Sequence, residues 1–271
     1  MELKKEDWQE PQCLLNMDRS NRRFIPRQRV MERFDALTHR NDYDAAERHM
    51  RYWLAEARDG HDVQGQFMIC NELMGLYRKT GQRDNALSCV EATLDLIRRM
   101  HTQDTVSAAT AYLNAATVYD AFDLAERSIP LFERARAIYE RDLPPDDTRM
   151  GGLFNNMGLA LASLSRFDEA IGCYSRALDV MQRAENGALE QAITYLNMAD
   201  ALYGKLGAED ADAQINDLLD TAQALLDDPS LPRNGYYAFV CEKCAPTFTF
   251  YGRFADGTEL KERADRIYAG A

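Results

Sequence analysis

The sequence predicts an all-α solenoid of about six stacked antiparallel helix hairpins, and three observations lead there. An asparagine-led block recurs four times at intervals of about 42 residues: Asn71-Glu-Leu-Met-Gly-Leu-Tyr77, Asn114-Ala-Ala-Thr-Val-Tyr119, Asn156-Met-Gly-Leu-Ala-Leu161 and Asn197-Met-Ala-Asp-Ala-Leu202. Self-similarity at such a period marks supersecondary units that cannot bury their apolar faces without a neighbour. Helix formers dominate, glycine and proline number only 15 and 8 of 271 residues, and no alternating β-branched run suggests a sheet. Turn-forming clusters separate the apolar stretches. Because a repeat array has no internal boundary, residues 26–271 are expected as one domain behind a non-repeating segment, 1–25.

In chain order, hairpins are expected at about 26–59, 63–101, 105–141, 147–185, 188–227 and 235–269. Breaks are marked by Arg40-Asn-Asp42, Thr80-Gly-Gln82, Asp142-Leu-Pro-Pro-Asp-Asp147, Glu185-Asn-Gly187 and the long connection from Asp227 to Gly235. That last connection shifts the sixth unit about four residues off the beat. The cleanest unit sets a grid: a first small site at Gly158, a second at Ala170, an aromatic at Tyr174 and a small residue at Ala177. Carried along, the first site falls at Met74, Ala116, Gly158 and Ala199. The second falls at Ala46, Ala86, Ser128 and Ala170, backed by Met50, Val90, Phe132 and Tyr174. Small residues suit points where two antiparallel helices approach closely. Pro130 is expected in the first turn of its helix, where the missing N–H costs nothing, and Pro246 is expected to kink the helix around it.

The spacing of Asn156-x-Gly158, Phe167-Asp-Glu-Ala170 and Tyr174-x-x-Ala177 resembles the tetratricopeptide repeat, particularly its longer form of about 42 residues found in kinesin light chains and peptide pheromone receptors. The likeness spans roughly residues 26–269 and is weakest at the terminal units. It implies a right-handed superhelix whose inner face is lined by the first helix of each hairpin. On the grid, that face includes Asn71, Glu72, Arg78 and Lys79, then Leu113, Asn114, Thr117 and Asp120. The next two units add Asn155, Asn156, Leu159 and Ser163, then Leu196, Asn197, Asp200 and Tyr203. The resemblance implies an asparagine ladder gripping the backbone of an extended peptide, since an amide supplies both donors and an acceptor. Asn114, Asn156 and Asn197 stand at its centre, and Asn71 aligns with Asn155. The consensus equally allows these asparagines to hydrogen-bond within or between adjacent hairpins. A carboxylate clamp is disfavoured, because the positions that carry its lysines and arginines hold Asn, Asp, Thr or Leu here. Arg78 and Lys79 make a basic spot, while Asp120 and Asp200 favour a neutral or basic ligand.

Charge narrows the partner. With 44 acidic against 32 basic residues, net −12, the field repels phosphate backbones and anionic lipids, so neither nucleic acid nor membrane is expected. The first residues lack the apolar core of a signal peptide, and no run approaches 18 apolar residues, so a cytoplasmic location is expected. Trp8, Leu14, Leu15 and Met17 in segment 1–25 are expected to cap the first hairpin or to dock in a groove. Among the six cysteines, only Cys241-Glu-Lys-Cys244 forms a motif. It lacks the second ligand pair of a zinc site and the helix N-terminus of a redox site, and is expected to be reduced. His39, His49, His61 and His101 form no catalytic helix motif, and neither a phosphate loop nor a nucleophile elbow occurs. No enzyme activity, cofactor or metal is expected.

The function expected is therefore a non-catalytic adaptor or scaffold for a protein or peptide. The alternative is a self-associating structural protein whose repeat surface or N-terminal segment makes homodimer contacts, a candidate being the sixth unit, where Tyr236, Tyr237, Phe239, Val240, Phe248, Phe250, Tyr251 and Phe254 crowd together. There a homodimer contact competes with ordinary core packing.

Overall fold

The computed structural model describes residues 22–270, so Trp8, Cys13, Leu14, Leu15 and Met17 lie outside the described residues. Among those described there are twelve helices and no strand. They run α1 Arg27–Thr38, α2 Tyr43–Asp59, α3 Val63–Lys79, α4 Arg83–Met100, α5 Val106–Ala121, α6 Ala125–Asp142, α7 Thr148–Ser163, α8 Phe167–Met181, α9 Ala188–Leu206, α10 Ala208–Asp227, α11 Gly235–Phe250 and α12 Phe254–Tyr268. Pairs of helices form consecutive hairpins, and the chain is an all-α solenoid. It divides into two compact units, one ending at Ile138 and one beginning at Tyr139, within α6.

Each hairpin turns on one residue with positive φ: Asn41, Gly81, Asp123, Ser165, Gly207 and Gly252. A single left-handed residue reverses the chain direction after a helix, and glycine adopts that conformation without cost while other residues do not. The next helix then starts two residues later, or at once in the case of Gly207.

In the N-terminal unit, α1 packs on α2, α2 on α3, and α3 on both α4 and α5. Val30, Met50, Ile69, Met74 and Val90 are fully buried between them. The entry to this unit is fixed by Asp62. Its buried carboxylate caps α3 by accepting from Gly65 N at 2.9 Å, accepts from Ile25 N at 3.1 Å, and pairs with Arg27 at 2.9 Å. A buried carboxylate is tolerated when such donors replace the water it has lost.

In the C-terminal unit, α7 packs on α8, α8 on α9 and α9 on α10, while α9 also meets α7 and α11. Leu153, Tyr174, Leu219, Tyr237 and Phe248 are fully buried. Gly158 lies against the Tyr174 ring so closely that an added Cβ would clash with it. The expected pairing of a small site with an aromatic one turn behind the second site is thus a direct contact. The second small sites Ala46, Ala86, Ser128 and Ala170 are all fully buried, as are Met50, Val90, Phe132 and Tyr174. In the sixth hairpin Gly257 takes the equivalent place, where a Cβ would stand 2.9 Å from Ala245 O. That hairpin is tied back to α10 by Arg253–Asp220 and Arg263–Asp227 ion pairs of 2.6 Å and by Tyr237 Oη donating to Leu226 O at 3.0 Å.

The prolines need one correction. Pro130 is the sixth residue of α6, beyond the first turn, because the helix already begins at Ala125. Its missing N–H therefore costs the bond to the carbonyl of Glu126, contrary to the expectation from sequence. Pro246 lies inside α11, which continues four residues past it to Phe250.

Candidate functional site

The asparagines predicted for the inner face are brought together in pairs. In the N-terminal unit Asn114 Nδ2 on α5 donates to Asn71 Oδ1 on α3 at 3.0 Å. In the C-terminal unit Asn197 Nδ2 on α9 donates to Asn155 Oδ1 on α7 at 2.9 Å, and Thr194 Oγ1 adds a 3.1 Å bond to the same acceptor. The offset is identical: the residue three before one first small site accepts from the residue two before the next. These bonds stitch successive first helices together, and each leaves part of an amide unused.

Asn156 differs, since it makes no hydrogen bond within the described residues and lines a cleft of about 770 Å³. The cleft lies along the N-terminal ends of α7, α9 and α11, where Arg149, Asn155, Glu190, Tyr236 and Lys243 join Asn156, with Arg183 from the α8–α9 connection. Arg149 is held by a bidentate pair with Asp147. Tyr236 Oη donates to Glu190, whose pKa is raised by desolvation, with the positive charge of Lys243 acting the other way. The cleft thus offers both signs of charge beside an unspent amide, which suits the alternating donors and acceptors of a peptide backbone.

The other predicted residues are spread along the inner helices. Arg78 is exposed near the end of α3, Asp120 is half-buried near the end of α5, and Leu159 is half-buried on α7. Asp200 and Tyr203 lie exposed towards the C-terminal end of α9, where Asp200 accepts from Tyr251 Oη at 2.8 Å. Sequence reasoning missed Glu190, Arg183, Tyr236 and Lys243 as cleft residues. A signal for Lys243 existed: once Gly257 sets the register of the sixth hairpin, Ala245 is its first small site, and Lys243 falls two before it, level with Asn114, Asn156 and Asn197.

Cys241 and Cys244 are buried on α11, and burial pushes the Cys244 thiol up to about 12 and Cys241 upward too. Both are poor nucleophiles and poor metal ligands in that state. Among the described residues no three of His, Cys, Asp or Glu gather to hold a metal ion, and no helix is long and apolar enough to cross a membrane.

Residues 149–224 match the tetratricopeptide repeat family. That stretch carries tetratricopeptide repeats. Solved structures agree on the fold. BtubC from P. vanneervenii superposes with a TM-score of 0.63 at 21% identity, covering 76% of this chain and 84% of that one. A kinesin light chain with nearly identical tetratricopeptide-like repeats from Podosopora anserina gives 0.55 at 15% identity, covering 76% and 96%. The MamA protein gives 0.51 at 17%, again covering 76% and 96%. At these identities the likeness concerns the tetratricopeptide fold alone. A search of curated proteins gave no match. Within the family match fall Asn155, Asn156 and Asn197, so the paired asparagines and the free one belong to its repeat units.

Proposed function

We propose that this tetratricopeptide-repeat chain is a non-catalytic, cytoplasmic adaptor or scaffold that holds an extended segment of another protein along its first helices. The observation that carries the reading is the cleft of α7, α9 and α11, with the unspent amide of Asn156 on its wall. Asn197 and Asn114 contribute the donor and acceptor capacity left over from their pairs. Asn155, Leu159, Asp200 and Tyr203 extend that contact surface along α7 and α9, and Asn71, Arg78 and Asp120 offer further contacts on α3 and α5 of the N-terminal unit. A net charge of −12 turns nucleic acid away. Peptides selected from a random display library test this directly. Calorimetry of the leading peptide should show affinity about fivefold to tenfold weaker for Asn156→Ala, equivalent to one lost hydrogen bond. Unchanged affinity removes Asn156 from the contact.

Self-association is supported by a separate observation. Phe254 and Tyr268 on α12 are 66% and 55% exposed, large apolar groups that a second copy of the chain would cover. Light scattering decides: a mass of one chain at high concentration ends this reading.

A further inference from the structure

Further along α9 and α11, Tyr203, Phe250 and Tyr251 form a surface of their own. Their ring centroids lie 5.0, 5.5 and 6.0 Å apart, with planes inclined by 73° to 88°. Edge-to-face packing of this kind fixes rings in place, yet Phe250 is 64% and Tyr203 39% exposed. Rings so exposed turn part of their surface to solvent rather than to one another. Beside them stands Asp200, accepting from Tyr251 Oη. Desolvation raises the pKa of Asp200, against the lowering effect of that bond, and no cation opposes it.

Several buried rings elsewhere are covered by the chain's own cations. The guanidinium carbon of Arg127 lies 4.3 Å from the Tyr119 centroid, that of Arg134 4.9 Å from Tyr112, that of Arg176 4.1 Å from Phe154 and that of Arg233 4.1 Å from Tyr237. At the α9–α11 surface the nearby cations are engaged elsewhere. Lys205 pairs with Asp168 on α8, and Arg253 pairs with Asp220 on α10 and with Asp256. Lys243 stands two helical turns before Phe250, and its charge acts on Glu190. Among the described residues Lys243 acts on Glu190, while no cation pairs with Asp200.

The geometry points to a receptor for one cationic side chain, a lysine or arginine carried by the bound segment, built from Asp200, Tyr203, Phe250 and Tyr251. It deepens the adaptor reading and rests on it. An arriving cation gains the quadrupole of the exposed rings and the negative charge of the Asp200 carboxylate beside them. The net charge of −12 draws a basic segment in at longer range.

Random dodecapeptides displayed on phage, selected against the 271-residue chain and against Asp200→Asn and Phe250→Ala variants, test the receptor. Peptides won by the native chain should share lysine or arginine at one position. The leading peptide should bind Asp200→Asn about tenfold and Phe250→Ala about threefold more weakly. Replacing its shared basic residue with norleucine should weaken binding to the native chain about tenfold and leave binding to Asp200→Asn unchanged. Both changes fall on exposed side chains, and asparagine keeps the acceptor for Tyr251, so circular dichroism should show native helix in each. Selected peptides without a fixed basic position, or a leading peptide held as tightly by Asp200→Asn, overturn the receptor and leave the adaptor standing. A chain that selects no peptide at all overturns both.

Discussion

In the N-terminal unit Asn71 accepts from Asn114, and in the C-terminal unit Asn155 accepts from Asn197, at the same offset from the small sites. Small buried sites recur in both, and so do left-handed turn residues. The surfaces diverge. Of the exposed large apolar side chains among the described residues, Tyr52 lies in the first unit, whereas Tyr203, Leu206, Tyr236, Phe239, Phe250, Phe254 and Tyr268 lie in the second. Both units lay arginines over buried rings, Arg127 and Arg134 over Tyr119 and Tyr112 in the first, Arg176 and Arg233 over Phe154 and Tyr237 in the second. One packing rule therefore builds both units without dictating what their outer positions present. Exposed apolar groups gathered in one region mark an interaction surface rather than a folding requirement.

The largest expected effect breaks this distinction between faces of α11. Phe248 is fully buried and Phe250 is exposed, two residues apart. Phe248→Ala should cost about 3–5 kcal/mol in urea unfolding, while Phe250→Ala should stay within about 0.5 kcal/mol. Equal losses would erase the assignment of Phe250 to a binding face.

Next comes the asparagine link. Asn155 is 8% exposed and accepts two hydrogen bonds, whereas half-buried Asn71 accepts one in its pair with Asn114. Asn155→Ala should cost about 1–3 kcal/mol, because Thr194 and Asn197 lose a buried acceptor, and Asn71→Ala about 0.5–1.5 kcal/mol. Identical denaturation midpoints would mean that the second bond adds nothing.

A glycine pair sharpens the same contrast. Gly158→Ala drives a methyl group into the Tyr174 ring and should cost about 1–3 kcal/mol. Gly75 on α3 has nothing within 4 Å of an added Cβ, so Gly75→Ala should stabilise the N-terminal unit by about 0.5–1 kcal/mol.

The smallest effect concerns pH. The pKa of Asp200 is raised in the folded chain, so its ionised form is penalised there. That penalty is absent below the ordinary carboxylate range and sets in as pH rises through the raised value. Asp200→Asn should therefore melt slightly higher than the native chain at pH 7, and the gap should close as pH falls to about 3. A native chain that melts higher at pH 7 would show that the carboxylate serves stability rather than binding.

Sequence alone determined the hairpins, the small sites and the Gly158–Tyr174 pairing, because contacts inside one hairpin recur at a fixed short spacing that any repeat displays. It marked the Gly81 turn but not those at Asp123 and Ser165, where aspartate and serine carry the left-handed conformation usually left to glycine. Pro130 was misplaced because the start of α6 had no clear signal at Ala125. Only the tertiary structure decided that the asparagines spend amide bonds on each other across 42 and 43 residues, and that Tyr251 reaches Asp200 across 51. Those pairings join different hairpins, and the long connection before α11 alters the spacing between them, so chain position did not reveal which side chains would meet.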